Sequence, residues 1–276
     1  MMIHSDWHIH SENSYDASCP ITTIGDNANA QGLRCFGITD HANLNDERFG
    51  GCINASAKNV KELQAKYPNM VLGVELTPIE NPLYDYVCKH GSREGDVAPV
   101  QSEPFDFAVA YTKEELVALG MRYSVAAAHW SLFGPGVQQT SVQDHIRSWY
   151  NQQIRLACDE RTTILGHPWW SGKPLWYEDF SVIPHTMNLE LGAALKENGK
   201  FVECNSFFFC RGKTTDKFRH QYAEFMRELF EMGIPVTYGS DSHHNYEDLR
   251  PTVESYLTAA GFKDGDISDL SEKDFW

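Results

Sequence analysis

The sequence predicts an α/β fold, a barrel of parallel strands each followed by a helix. Three observations carry this. Short apolar runs rich in β-branched residues alternate with longer stretches of helical periodicity. About seven such units occur in 276 residues, which suits closure into a barrel better than an open sheet. Glycines stand just past several helical stretches, where a chain leaves a helix.

In order, the first strand is expected at Ile3–His8 and its helix at Ile21–Gln31, closed by Gly32. The second strand is Cys35–Asp40, followed by a helix over Ala55–Lys66; the third strand is Met70–Leu76. Residues 77–121 then break the rhythm with Pro78, Pro82, Pro99 and Pro104 and with acidic residues. This segment reads as an insertion bordering the site, with a candidate extra strand at Phe105–Ala110 and no core of its own. The alternation resumes with strand Tyr123–His129, helix Val142–Glu160, strand Thr163–His167 and helix Thr186–Asn198, closed by Gly199. Strand Phe201–Asn205 leads to helix Thr215–Met232, closed by Gly233. Strand Pro235–Asp241 leads to helix Tyr246–Ala260, opened by Asn245 or Asp248 and closed by Gly261. One domain over residues 1–276 is expected.

Composition excludes several function classes. No apolar run reaches the roughly 20 residues of a membrane span. The start, Met1-Met2-Ile3-His4-Ser5-Asp6, lacks the basic and apolar regions of a signal peptide, so a cytoplasmic location is expected. Seven cysteines without a CxxC pair read as small buried hydrophobes, not as a disulfide framework or zinc ribbon. A net charge of −15 opposes long nucleic acid as a partner, because a phosphate polymer needs a basic stripe. Bound divalent cations would cancel part of that charge.

The chemistry lies at the strand ends. Six of the seven strands finish on His8-Ile9-His10, Asp40-His41, Glu75, His129, His167 or Asp241-Ser242-His243. In a parallel barrel these ends open onto one face, so residues distant in sequence converge. Imidazole and carboxylate are ligands for zinc, manganese and iron, and a carboxylate can bridge two ions. Each motif alone is weak; together they point to a metal-dependent hydrolase, because acids following apolar runs are costly unless paired or metal-bound.

The motifs Asp6-Trp7-His8-Ile9-His10-Ser11, Ile38-Thr39-Asp40-His41, Gly73-Val74-Glu75, Ala128-His129-Trp130, Gly166-His167-Pro168 and Gly239-Ser240-Asp241-Ser242-His243 follow in order along nearly the whole chain. In this the sequence resembles the PHP family, named for its polymerase-associated and histidinol-phosphatase members. The resemblance implies a distorted (βα)7 TIM-like barrel with three divalent metal ions (zinc, manganese or iron) that hydrolyses phosphoesters. It implies that His8, His10, Glu75 and Asp241 hold one ion, and that Glu75 bridges to a second with His129 and His167. Asp16, His41 and His243 would hold the third, and Asp241 or His243 would also shuttle protons.

A small phosphorylated substrate, histidinol phosphate among the candidates, would need a cation on its phosphoryl oxygens. Arg211, in the loop after the sixth strand, and Lys173 are the candidates; histidinol-phosphatase-like members carry an arginine in the corresponding loop. Trp130, Trp169, Trp170 and Phe207–Phe209 follow ligand strands, where they either wall a pocket or pack the core. The tryptophans after His167 depart from the histidinol-phosphatase pattern. Glu203 and Asn205 share the sixth strand, with Asn205 suited to bond a ligand or substrate. His4, His90, His145, His185, His220 and His244 match no strand end and read as surface or packing residues. Alternatives are a phosphodiesterase or exonuclease on short nucleotides, and a non-catalytic metal-binding barrel. An amidohydrolase-like C–N hydrolase would bring a strand-end lysine, which is absent here.

Overall fold

The computed structural model describes residues 2–43, 52–80, 107–108, 111–129, 141–171 and 174–270. Its elements run β1 (Ser5–Ile9), α1 (Ile21–Ala30), β2 (Cys35–Ile38), β3 (His41–Asn43), α2 (Cys52–Leu63), β4 (Met70–Leu72), β5 (Val74–Thr77), β6 (Ile79–Glu80), β7 (Phe107–Ala108), α3 (Lys113–Ala118) and β8 (Ser124–Ala126). They continue with α4 (Val142–Cys158), β9 (Ile164–Leu165), a 3-10 turn (Phe180–Val182), α5 (His185–Glu197), β10 (Phe201–Asn205), a π turn (Phe207–Arg211), α6 (Asp216–Glu231), β11 (Val236–Gly239) and α7 (Arg250–Ala259).

The strands form a distorted parallel barrel. One sheet has the order β1-β2-β4 and the other β11-β10-β9-β8-β5-β3. All of their pairings are parallel. The expected second strand is β2, ending at Ile38, and the chain continues beyond the expected end into β3 of the other sheet; the expected third strand is split into β4 and β5, one half in each sheet. Between β1 and β11 there is no ladder but a single bridge, Ile9 to Ser242. Main-chain bonds from Asp241 N to His8 O (2.8 Å) and from His10 N to Ser242 O (2.9 Å) reinforce it. The Asp6 carboxylate, taking the Ser240 N–H at 2.9 Å, staples the same seam.

The splits have a steric origin. The Tyr123 ring lies inside the ring of strands, its hydroxyl donating to Trp7 O at 2.8 Å. A Cβ at Gly37 would fall on that hydroxyl, and one at Gly73 would lie 2.6 Å from the ring. Two inward-facing glycines therefore let the strands pass a buried tyrosine. Tyr123 packs with Trp7, Val125, Ile164, Phe201 and Leu270 in a cluster separate from the larger core between strands and helices. Above this apolar plug, the same alternation brings His41, Glu75, His129 and Asp241 to the open end. An extra residue in β1 between Asp6 and Ile9 shifts its register. That bulge lets both Trp7 and His8 face inward, as bulges beside functional sites do.

Helix punctuation agrees with sequence at most ends. Capping boxes Thr112/Glu115 and Ser141/Asp144 open α3 and α4. Gly199 and Gly233 follow α5 and α6 with φ of 63° and 90°, conformations only glycine adopts cheaply. The last helix departs from expectation: it begins at Arg250, not Tyr246, and neither Asn245 nor Asp248 caps it. Tyr246 is drawn into a buried bond to Asp6, and Asp248 pairs with the Arg250 guanidinium instead. Within 77–121, β6 and β7 pair antiparallel and α3 is a short helix. Of the expected strand Phe105–Ala110, only Phe107 and Ala108 lie among the described residues, and both are strand.

Candidate metal centre

Glu75, on β5 and buried, is the hub of the open end of the barrel. Its Oε2 lies 3.4 Å from His8 Nε2, 3.1 Å from His10 Nε2 and 3.0 Å from His41 Nδ1. Its Oε1 lies 3.3 Å from His129 Nε2 and 3.1 Å from His167 Nε2. Five imidazoles thus converge on one carboxylate, more than its lone pairs satisfy with well-aligned hydrogen bonds. Glu75 Oε2 and the Nδ1 atoms of His10, His41 and His167 are buried without a hydrogen bond.

Three sets of ligand atoms each fall within 4.8 Å of one another: His8, His10 and Glu75; Glu75, His129 and His167; and His10, Asp16, His41 and His243. The first two share Glu75, one through each oxygen. Asp16 Oδ2 is 3.2 Å from His41 Nε2 and 3.4 Å from His243 Nε2, so the loop acid after β1 lies against those imidazoles. His10 stands between the first and third sets. Asp241 Oδ1 lies 3.5 Å from His10 Nε2 and 3.7 Å from His8 Nε2. All nine expected ligand positions meet in one region. Buried, with the unbonded His41 Nδ1 and Glu75 Oε2 facing each other at 3.0 Å, this donor set fits clustered divalent ions.

The charges of the bare site tell the same story. Burial alone would raise Glu75, but the imidazoles of His41, His8 and His129 hold it well below the usual carboxylate range. Burial would lower His41, but Glu75 and Asp16 push it up to about 10. Burial would likewise lower His8, and the carboxylates of Glu203, Glu75 and Asp241 hold it well above its ordinary value. Protons on imidazoles here stand where cations would otherwise balance the acids. His129 differs: burial wins over Glu75 and lowers it.

Backbone strain marks the same place. His167 and Asp241 have positive φ, 23° and 53°, and neither is glycine. Such conformations cost roughly 1–3 kcal/mol and persist where surroundings over-determine them. Around the donors, Thr77 Oγ1 bonds His129 Nδ1 at 3.0 Å, and the Asp241 carbonyl faces His243 Nδ1 at 3.0 Å. Asp40, despite its strand-end position, joins none of the three sets. Its carboxylate accepts from Ser11 N (2.6 Å), Ser11 Oγ (2.7 Å) and Ser56 Oγ, and so braces the chain after His10.

The centre opens into a cavity of about 430 Å³ walled by Tyr15, Thr77, Trp170, Phe207, Arg211 and His244. Arg211 is exposed at its rim, on the π turn, donating to Ser242 Oγ at 3.0 Å. Lys173 and Trp130 lie outside the described residues. The expected aromatic wall divides: Trp170 and Phe207 face the cavity, whereas Trp169, Phe208 and Phe209 are core. His244, read from sequence as surface or packing, lines the cavity, because His243 turns the chain across its mouth. His145 is buried packing, His4 pairs with Asp264 and His185 with Glu228; His90 lies outside the described residues. The six cysteines among the described residues are in no disulfide. No helix among the described residues is long and apolar enough to cross a membrane.

Known proteins resemble this chain in sequence or in fold. The PHP domain family model matches residues 6–167. A probable phosphatase of Acetivibrio thermocellus is 23% identical over 243 residues, covering 88% of this chain and 80% of that protein. Histidinol phosphate phosphatase from Lactococcus lactis, solved with zinc, L-histidinol and phosphate, superposes with a TM-score of 0.69. That likeness is 16% identical, covers 96% of this chain and 98% of that one, and is one of fold.

Proposed function

Because this chain belongs to the PHP family, we propose that it is a metal-dependent phosphatase that hydrolyses a small phosphomonoester. The observation that carries the reading is the set of three donor groups, two of them sharing Glu75, with Arg211 across the same cavity. His8, His10, Glu75 and Asp241 would hold one ion, Glu75, His129 and His167 a second, and Asp16, His41 and His243 a third. Zinc, manganese and iron all suit this nitrogen and oxygen set. Divalent ions bound there supply Lewis acidity that activates water and neutralises phosphoryl charge.

The chain's own residues do the rest. Arg211 offers a planar fork of donors to the non-bridging oxygens of a phosphate group. Asp241 and His243 are placed to move a proton to the leaving alcohol, with His243 Nδ1 3.6 Å from Asp241 Oδ1. Trp170 and Phe207 offer flat apolar surface to the organic part of the substrate, and a ring such as imidazole would stack there. The organisation into one domain over 1–276, with 77–121 as an insertion bordering the cavity, belongs to the same proposal.

A panel of phosphomonoesters, histidinol phosphate included, and of diesters tests it, with chelator and then with added manganese, iron or zinc. Monoester turnover that chelator abolishes and metal restores is expected. Turnover of diesters alone overturns the monoesterase reading in favour of a phosphodiesterase; no metal uptake and no turnover would make the chain a binding barrel. Arg211→Ala is expected to raise KM for monoesters by about tenfold, near the ~1.5 kcal/mol of a charged hydrogen bond. Unchanged kinetics would remove Arg211 from the site.

A further inference from the structure

Below the donor sets lies a carboxylate that the proposed chemistry does not use. Glu203, on β10, is 1% exposed and is not among the residues lining the cavity of the centre. Its Oε1 faces His8 Nδ1 at 2.7 Å. Its Oε2 accepts the backbone N–H of His167 and, at 3.1 Å, the Asn205 amide. Asn205 Nδ2 also reaches Asp241 Oδ2 at 3.3 Å. One buried acid is thereby tied to three residues of the centre: His8 by its ring, His167 by its backbone, and Asp241 through Asn205.

The consequence for His8 is chemical. A carboxylate is acceptor-only, so Nδ1 must carry a proton, and Nε2 is the nitrogen left to give a lone pair to a cation held with His10 and Glu75. The consequence for His167 is conformational. Its left-handed backbone is disfavoured for a residue with a Cβ, and the bond to Glu203 holds the turn that aims Nε2 at Glu75. The space for this carboxylate is built in, since a Cβ at Gly239 would fall on Glu203 Oε1 and lie 2.7 Å from His8 Cβ.

We propose that Glu203 is a positioning residue that couples the first two donor sets, fixing the His8 tautomer and the His167 turn through one side chain. The inference rests on the metal-centre reading above. Glu203 reaches the third set only through the shared His10, since it bonds none of Asp16, His41 and His243 in the contacts described.

Glu203→Gln separates the roles with almost no change of shape. If the Gln oxygen keeps the His167 and Asn205 bonds, its NH2 faces His8 Nδ1. His8 must then accept at Nδ1 and carry its proton at Nε2, where it cannot bind a cation. Outer partners of metal-binding histidines are worth roughly 10–100-fold in affinity. The purified full chain, stripped and titrated with zinc, is expected to lose affinity by about that factor for the ion of the His8 set while the other ions bind as in wild type. In zinc-loaded protein labelled with ¹⁵N at histidine, wild type is expected to show a protected His8 Nδ1–H that the variant lacks. Gly239→Ala, which displaces the whole Glu203 carboxylate and so disturbs its His8 and His167 contacts together, is expected to weaken the ions of both of the first two sets. Its far-ultraviolet circular dichroism checks that the fold is kept. If Glu203→Gln binds zinc as wild type does, or weakens all ions equally, the coupling role is overturned while the metal centre stands. A wild-type chain that takes up no divalent ion overturns both.

Discussion

Asp6 offers a measurement of how the barrel seam is held beneath the metal centre. Its carboxylate is 1% exposed and accepts from Ser240 N at 2.9 Å, His8 N at 3.2 Å and the Tyr246 hydroxyl at 3.0 Å. Burial pushes its pKa from 3.8 up to about 6, and the hydrogen bonds from Ser240, His8 and Tyr246 only partly offset this. Folded Asp6 therefore binds its proton more tightly than unfolded Asp6. Its favourable contribution is fully present below 3.8 and is lost as pH rises through about 6. The gap corresponds to ~3 kcal/mol between the two regimes. In Asp6→Asn, the amide oxygen keeps both N–H bonds, while the NH2 faces Tyr246 Oη and that hydroxyl loses its acceptor. The lost bond costs about 1 kcal/mol at every pH. The variant should thus be ~1 kcal/mol less stable than wild type at about pH 3, and ~2 kcal/mol more stable at about pH 8. Urea unfolding of the chelator-treated proteins across this range reads the difference, and the comparison cancels the histidines common to both. Parallel profiles, with no change of sign, would refute the assignment of a buried, costly carboxylate at the seam.

Two further outcomes follow from the same geometry. Gly37→Ala places a Cβ on the Tyr123 hydroxyl and breaks its bond to Trp7 O, so thermal unfolding should show a loss of ~1–3 kcal/mol, the usual cost of overpacking; an unchanged Tm would mean the two strands do not hug that ring. Metal uptake should release protons, because His8 and His41 are held protonated near neutral pH by Glu75 and their other acid neighbours. Zinc added in weak buffer at about pH 7 is expected to liberate ~2 or more protons per chain, with affinity rising as pH rises; uptake without acidification would contradict the charge assignment.

Much of the site was legible because strand parity is countable. Once Phe201, Glu203 and Asn205, or Tyr123, Val125, Ala127 and His129, are seen as one face of a strand, the last inward residue must stand at the open end. The strand-end histidines and acids are therefore found by counting, and parallel connection puts those ends on one face. Glu203 lay in plain view by the same parity. What concealed its role is that a mid-strand acid reads as a partner for some unspecified neighbour, and the identity of that neighbour depends on how strands stagger around the barrel. The wall aromatics illustrate the same limit. Trp169 and Trp170 are adjacent in sequence, yet the left-handed backbone at Trp169, with φ of 66°, buries one and turns the other to the cavity.

By itself, the sequence determined the order of the main strands and helices and the donor types at the strand ends. These depend on local periodicity and on short-range sterics that the chain carries everywhere. Only the tertiary structure decided that five imidazoles share Glu75, that His10 stands between two donor sets, and that Glu203 supports two of those sets from below. Those facts depend on closure of the seam between β1 and β11, on the bulge at Trp7-His8 and on the room left by Gly37, Gly73 and Gly239. Packing across a closed barrel is a long-range property, and no local pattern along the chain encodes which side chains meet at its axis.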